Sequence, residues 1–347
     1  MKIVARSLVA HAATASCAIA LALTLSLGAA AAQGKTSTKT YTMKITLPTL
    51  NDPSYFFAKA YAAALEKDTG NRIKPQIFPL SQLGSIPRQI EGTQFGSIQC
   101  AIIPPEFFVG VDDRFEVLSA PGLVGSLDQG QHVAADPAVR KLILGLGANK
   151  GLHGVAVFMN APSSVIAKSP IRHLADFKGK KIRVLASPFQ TVPISRLGAT
   201  PVAMTLADVV PALQQGTIDG AVGGIVVWTP MHFNDAAKYV TETGQPAVFV
   251  VVEINKAWYD SLPADLRKIV DDDAAAGQKA IAPTVSEIVD KARKGWTAGG
   301  GELISLPANE QSEMMKMFSD AVTDVVKNKP AVGAAYDIVK AAAQRAQ

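Results

Sequence analysis

The chain has 347 residues, of which 34 are Lys or Arg and 29 are Asp or Glu, giving a formal net charge of +5. These charges are scattered and form no basic stripe, which argues against nucleic-acid binding, because that function wants a clustered positive footprint. The length suits two lobes of ordinary domain size.

In chain order, the first segment reads as a secretory signal. Lys2 and Arg6 precede an apolar run that is densest from Ala18 to Leu27, and Gly28 and Ala29 to Ala32 follow it. That order of charged, apolar and small residues predicts cleavage near Ala32 and export to the periplasm. The apolar run is shorter than the roughly 20 residues a membrane span needs. Cys17 as a lipid attachment site is disfavoured, because Ala12 to Ser16 before it are weakly apolar. Without Lys2 and Arg6 the basic count falls from 34 to 32 against 29 acidic, a net of +3. Only Cys100 then remains, so no intramolecular disulfide is expected. Residues 33–40 read as a polar, flexible leader. No later segment has the roughly 18 uninterrupted apolar residues of a spanning helix, so a soluble mature protein is expected.

Strands and helices then alternate. Strands are predicted at Tyr41 to Leu47, Ile73 to Phe78, Cys100 to Ile103, Val155 to Met159, Ser164 to Ala167, Lys181 to Leu185 and Pro201 to Met204. The Val-rich run Ala247 to Ile254 reads as a strand buried on both faces, and Glu302 to Leu306 as a last one. Helices are predicted from Ser54 to Thr69, opened by Asp52-Pro53, then around Arg88 to Phe95, from Asp136-Pro137 to Gly145, and from Pro188 to Leu197. Thr205 to Gln215 is expected to be a helix with Thr205 and Asp208 as a capping box. A long helical region runs from Pro263 to about Ala298 with a break near Pro283, and another begins at Asn309. Asn160-Ala161-Pro162 marks a crossing between lobes. The alternation predicts an α/β protein with largely parallel sheets.

Motifs of common enzymes are missing from the sequence: no Gly-x-Ser-x-Gly, His-Glu-x-x-His, Cys-x-x-Cys or Walker loop occurs. Gly145, Gly147 and Gly151 follow a helix and not a strand, which is the wrong context for a dinucleotide loop. His132, His153, His173 and His232 have no metal-ligand spacing. No catalysis, cofactor or metal is expected.

The informative stretch runs from Leu174 to Gly244. It contains Leu174-Ala175-Asp176-Phe177-Lys178-Gly179-Lys180-Lys181-Ile182-Arg183-Val184, then Leu197-Gly198-Ala199-Thr200-Pro201, then Ala212-Leu213-Gln214-Gln215-Gly216-Thr217-Ile218-Asp219-Gly220, and it closes on Lys238-Tyr239-Val240-Thr241-Glu242-Thr243-Gly244. This order closely resembles the substrate-binding subunits of tripartite ATP-independent periplasmic (TRAP) transporters, the dicarboxylate-binding-protein-like (DctP) family. Ser81-Gln82-Leu83-Gly84 and Ala120-Pro121-Gly122-Leu123 resemble its first-lobe landmarks. The resemblance implies a two-lobe periplasmic-binding-protein fold with interleaved lobes and a long helix crossing both. The lobes are expected at 41–160 plus about 249–285 and at 161–248 plus about 286–330, with a C-terminal helix over 331–347. It also implies a monomeric receptor that hands a small carboxylate to TRAP permease subunits in the membrane. A receptor for an ATP-driven importer, a periplasmic enzyme and a sensor module are the rival readings.

In that family the arginine of the Lys-x-Arg-Val strand pairs with the ligand carboxylate, and here that residue is Arg183. A guanidinium matches a carboxylate in two parallel hydrogen bonds, and an arginine in an apolar strand is costly to bury unpaired. From the residues alone, Arg183 is equally well solvated or paired with Asp208 or Asp219. Elsewhere the chain departs from family members that bind sialic acid. Those carry Gln-Glu-Asn-Pro after the Asp-Gly, whereas here Gly223 takes the position of the asparagine. By register Ser163 replaces a second arginine, and Pro104 and Phe107 replace a glutamate and an arginine on the first lobe. Phe107, Leu206, Trp228 and Phe189 are candidate apolar walls. The expected ligand is therefore a monocarboxylate with an apolar or aromatic skeleton, with a four-carbon dicarboxylate or sugar acid as the alternative.

Overall fold

The computed structural model describes residues 39–346, and the signal-peptide and most of the leader expectations lie outside the described residues. Eleven strands run in chain order: β1 Tyr41–Thr46, β2 Ile73–Phe78, β3 Cys100–Ile103, β4 Leu152–Ala161, β5 Ser163–Ala167, β6 Lys181–Val184, β7 Thr200–Ala203, β8 Gly220–Gly224, β9 Tyr239–Thr241, β10 Val248–Asn255 and β11 Glu302–Ile304. They form two sheets, one of five strands in the order β2-β1-β3-β10-β4 and one of six in the order β11-β9-β5-β8-β6-β7. Each sheet with its helices makes one lobe of a two-lobe α/β fold.

The sheets are mixed, which corrects the expectation of largely parallel pairing. β1 runs parallel to β2 and β3, and β6 to β7 and β8. The strands at which the chain enters from the other lobe run the opposite way. β5 follows β4 through Pro162 and is antiparallel to β8 and β9. β10 follows β9 and is antiparallel to β3 and β4. All eight residues of β10 are buried, as the Val-rich run predicted. The composition of β8, Gly-Ala-Val-Gly-Gly, hid that strand.

The helix Pro53–Asp68 starts at Asp52, whose side chain accepts from the Tyr55 N–H. The long helical region is Ala264–Ile281 and Val285–Ala298, joined by a 3₁₀ turn that contains Pro283. A proline removes a backbone donor and interrupts the helix there. The first half packs on the helix Pro53–Asp68 and on β4, and the second on Ile225–Trp228 and β11, so the region crosses between lobes. The chain then forms Ala308–Asn328 on the six-stranded side, against the helix Pro188–Arg196, and returns as Pro330–Arg345 to pack beside Leu127–Ala135. The capping box at Thr205 is not formed. Thr205 Oγ1 donates to Asp208 (2.7 Å) and a 3₁₀ turn, Leu206–Asp208, precedes the helix Val209–Gln215. Among the described residues no helix is long and apolar enough to cross a membrane.

Candidate binding cleft

Arg183 is the third residue of β6, and its position follows from strand alternation. Its neighbours Ile182 and Val184 enter the apolar core of the six-stranded lobe, so Arg183 points to the opposite face. It is nonetheless only 3% exposed. Backbone carbonyls hold it: Nε donates to Met204 O at 2.9 Å and Nη1 to Val222 O at 2.9 Å. Its Nη2 makes no hydrogen bond among the described residues. Neither acidic candidate reaches it. Asp208 accepts from Thr205, and Asp219 caps the Lys181 N–H at 2.8 Å. Burial lowers the guanidinium pKa to about 10, opposed by the charge of Glu106. Arg183 therefore remains a cation at neutral pH, with no carboxylate hydrogen-bonded to it.

Arg183 opens on a narrow cleft between the lobes. Leu206, Gly223, Trp228 and Phe107 line the same cleft, as does Pro104. Six of the eight residues singled out from sequence are thus brought together. Ser163 is not: it lies in an adjoining pocket with Glu242, Arg293 and Gln311, and its Oγ has no partner among the described residues. Ser163 is the first residue of β5, just past the Pro162 crossing, and its position there opens on that other pocket. Phe189 is fully buried in the core of the five-stranded lobe and packs near Tyr336, so it is core and not cleft wall.

Gly223 and Trp228 are coupled. A Cβ on Gly223 would stand 2.4 Å from Trp228 Cζ2 and 2.6 Å from Cη2. The indole fills the space that a side chain at 223 would take. Its Nε1 donates to Ser164 Oγ (3.0 Å), which donates to Gly223 O (3.0 Å), so the buried ring is anchored.

The wall from the five-stranded lobe contains a polar cluster that sequence reasoning did not assign to the site: Thr49, Asp52, Ser54 and Asn160. Asp52 accepts from Tyr55 N (3.0 Å) and Asn160 Nδ2 (3.3 Å), and Ser54 Oγ donates to Asn160 Oδ1 (3.0 Å). Burial raises the Asp52 pKa against these hydrogen bonds. Asp52-Pro53 and Asn160-Ala161-Pro162 were legible as a helix start and a strand break, and those local roles masked their place in the cleft. Glu106 sits between Pro104 and Phe107 in sequence but is fully buried. Its Oε1 accepts from Ser119 Oγ and from Gln190 Nε2 (3.2 Å), while Oε2 has no partner. Burial pushes its pKa up to about 7. A larger groove, lined by Phe56, Pro230, Ile288 and Lys291 among others, contains neither Arg183 nor this cluster.

The chain matches the bacterial extracellular solute-binding protein family 7 (DctP) over residues 46–329, and it belongs to that family. It is similar to the C4-dicarboxylate-binding periplasmic protein DctP of Rhodobacter capsulatus, 29% identical over 212 residues, 60% of this chain and 63% of that protein. It is 28% identical to the 2,3-diketo-L-gulonate-binding periplasmic protein YiaO of Escherichia coli K12 over 283 residues, 80% of this chain and 83% of that protein. The chain thus spans less than two thirds of the first of these relatives. A solved TRAP periplasmic solute binding protein from Desulfovibrio salexigens, with bound orotic acid, superposes with a TM-score of 0.83 at 21% identity, covering 88% of this chain and 100% of that one. At that identity the likeness is one of fold, and it agrees with the two-lobe architecture expected from the Leu174–Gly244 motifs.

Proposed function

We propose that this chain is a periplasmic receptor that captures a small organic carboxylate between its lobes and delivers it to a TRAP membrane permease. The observation that carries the reading is Arg183: a buried cation, oriented by two backbone carbonyls, with Nη2 unbonded and no carboxylate hydrogen-bonded to it among the described residues. A carboxylate entering the cleft supplies the missing counter-charge. Closure of the lobes around it excludes water and strengthens the pair. Phe107, Leu206 and Trp228 suit a ligand with an apolar or aromatic skeleton, so an aromatic or branched monocarboxylate is the first choice. The Thr49–Asp52–Asn160 wall favours a second reading, a more polar acid such as the dicarboxylates and sugar acids named for the relatives.

A thermal-shift screen of benzoate-like acids, branched keto acids, four-carbon dicarboxylates and sugar acids tests both readings. A ligand at a hundredfold excess over its dissociation constant stabilises the folded state by about 2.7 kcal/mol. A shift with dicarboxylates or sugar acids alone selects the second reading. No shift with any carboxylate sinks both.

A further inference from the structure

The wall facing Arg183 has an unfilled polar requirement. Thr49 is 7% exposed, and its Oγ1 is buried without a hydrogen bond of normal geometry. It lies close enough to the Asp52 carboxyl to favour that group's ionised form, but burial, the larger effect, raises the Asp52 pKa. Both residues line the cleft. Each Asp52 oxygen already accepts one N–H, but an ionised carboxylate has about four acceptor positions, so capacity remains. A buried hydroxyl whose hydrogen bond is poorly formed is costly, and sites that hold one in readiness discriminate strongly for a ligand group that satisfies it.

We infer that Thr49 and Asp52 form a subsite for a hydroxyl group of the ligand, on the wall opposite the Arg183 carboxylate anchor. This inference rests on the proposed role of Arg183. An alcohol meets both residues at once, donating its proton to Asp52 and accepting one from Thr49. An ammonium group meets them less well. It brings three donors and no acceptor, so the Thr49 proton would find no acceptor on it. The recognised class is then a hydroxy acid whose apolar part lies against Phe107, Leu206 and Trp228.

Titration calorimetry of the processed protein with matched acids tests this. One set is 4-methylpentanoate, its 2-hydroxy and 3-hydroxy derivatives, and leucine. The other is 3-phenylpropanoate and 3-(4-hydroxyphenyl)propanoate. At least one hydroxylated acid is expected to bind about tenfold or more tightly than its parent, roughly one hydrogen bond's worth of affinity. Thr49→Val, nearly isosteric, and Asp52→Asn, which keeps a helix-capping oxygen, should each weaken the hydroxylated acid more than its parent and so remove most of that advantage. A parent acid that binds as tightly as its hydroxylated forms overturns the subsite, as does an advantage that survives both substitutions. Leucine binding more tightly than either hydroxy acid of its set overturns it in favour of an ammonium. If parent acids bind in an Arg183-dependent manner and the hydroxyl adds nothing, the carboxylate reading stands and only the subsite falls. If no acid in either set binds, the hydroxy-acid subsite falls, and the carboxylate reading is decided by the dicarboxylates and sugar acids of the wider screen.

Discussion

The two walls of the cleft are built by different means. On the six-stranded side, Arg183 is placed by strand register and fixed by two main-chain carbonyls, Met204 O and Val222 O. On the five-stranded side, Thr49 and Asp52 sit in the turn after β1 and Asn160 at the end of β4, and Asp52, Asn160 and Ser54 are joined by side-chain hydrogen bonds. The first wall is a single rigid charge on a sheet. The second is a small polar network at a helix start and a chain crossing. On the proposed reading, the charge held by the backbone would set what every ligand must carry, and the network of short side chains would adjust which ligand is preferred.

The largest expected effect is on the rigid wall. Truncating one member of a buried charged pair costs about 2–5 kcal/mol, so Arg183→Ala should weaken carboxylate binding by roughly 30-fold or more at about 1.4 kcal/mol per decade. Arg183→Lys should not restore it, because an ammonium lacks the planar fork that bonds Met204 O, Val222 O and a ligand together. Calorimetry on a folded variant reads this directly. Near-native affinity in Arg183→Ala would remove the anchor from the comparison.

The seam between the walls offers the next test. Glu106, on the Phe107 segment, accepts from Gln190 on the helix that follows β6 (3.2 Å). Burial raises its pKa from 4.5 to about 7, with the nearby Arg183 charge opposing the rise. The folded state therefore binds this proton more tightly than the unfolded chain does. The stability it contributes is complete below about pH 4.5 and is lost as the pH rises to about 7. Such a shift corresponds to at most about 3.5 kcal/mol. Glu106→Gln cannot ionise, so it should match the parent near pH 4.5 and exceed it in denaturant stability at pH 8. Parallel pH profiles for the two proteins would show that Glu106 ionises freely and that the seam does not hold it neutral.

How much of this was legible in the sequence follows the same division. Strand β6 and its arginine were readable, because alternation around Ile182 and Val184 and the ordered motifs from Leu174 to Gly244 all fall on one continuous stretch. β10 was readable from its unbroken Val-rich run. β8 was not, since three glycines in five residues mask strand propensity, and a glycine there is required by a ring five positions later. Asp52 and Asn160 are 108 positions apart in sequence, so their meeting depends on the five-stranded sheet and not on any local pattern. Ser163 was placed by register alone, and the crossing at Pro162 put it in a neighbouring pocket. Short-range periodicity reports one element's faces, whereas a cleft wall assembled from loop ends is fixed only by packing.

The smallest effect concerns the glycine that departs from the family pattern. At Gly223 an added Cβ would lie 2.4 Å from Trp228 Cζ2, far inside van der Waals contact, so the indole or β8 must move. The ring has little freedom to do so. It is fully buried, its Nε1 is bonded to Ser164, and its ring centroid is 4.8 Å from that of Phe233. Overpacking of a filled site costs typically about 1–3 kcal/mol, and Gly223→Ala should lose stability in that range, read as a lower denaturant midpoint. Trp228→Phe removes the atoms in conflict, but alone it gives up the Ser164 bond and leaves a void. Combined, the two changes should cost less than the sum of their separate costs, because each relieves the other, and residues in contact commonly couple by about 0.5–3 kcal/mol. Strict additivity, or a Gly223→Ala variant as stable as the parent, would mean that the glycine is not needed for the indole. If the coupling is found, the missing polar side chain at 223 and the aromatic wall at 228 are one change. On the proposed reading, a ligand contact would then have been exchanged for a tryptophan that occupies its place, and any attempt to place an asparagine at 223 must first remove the ring.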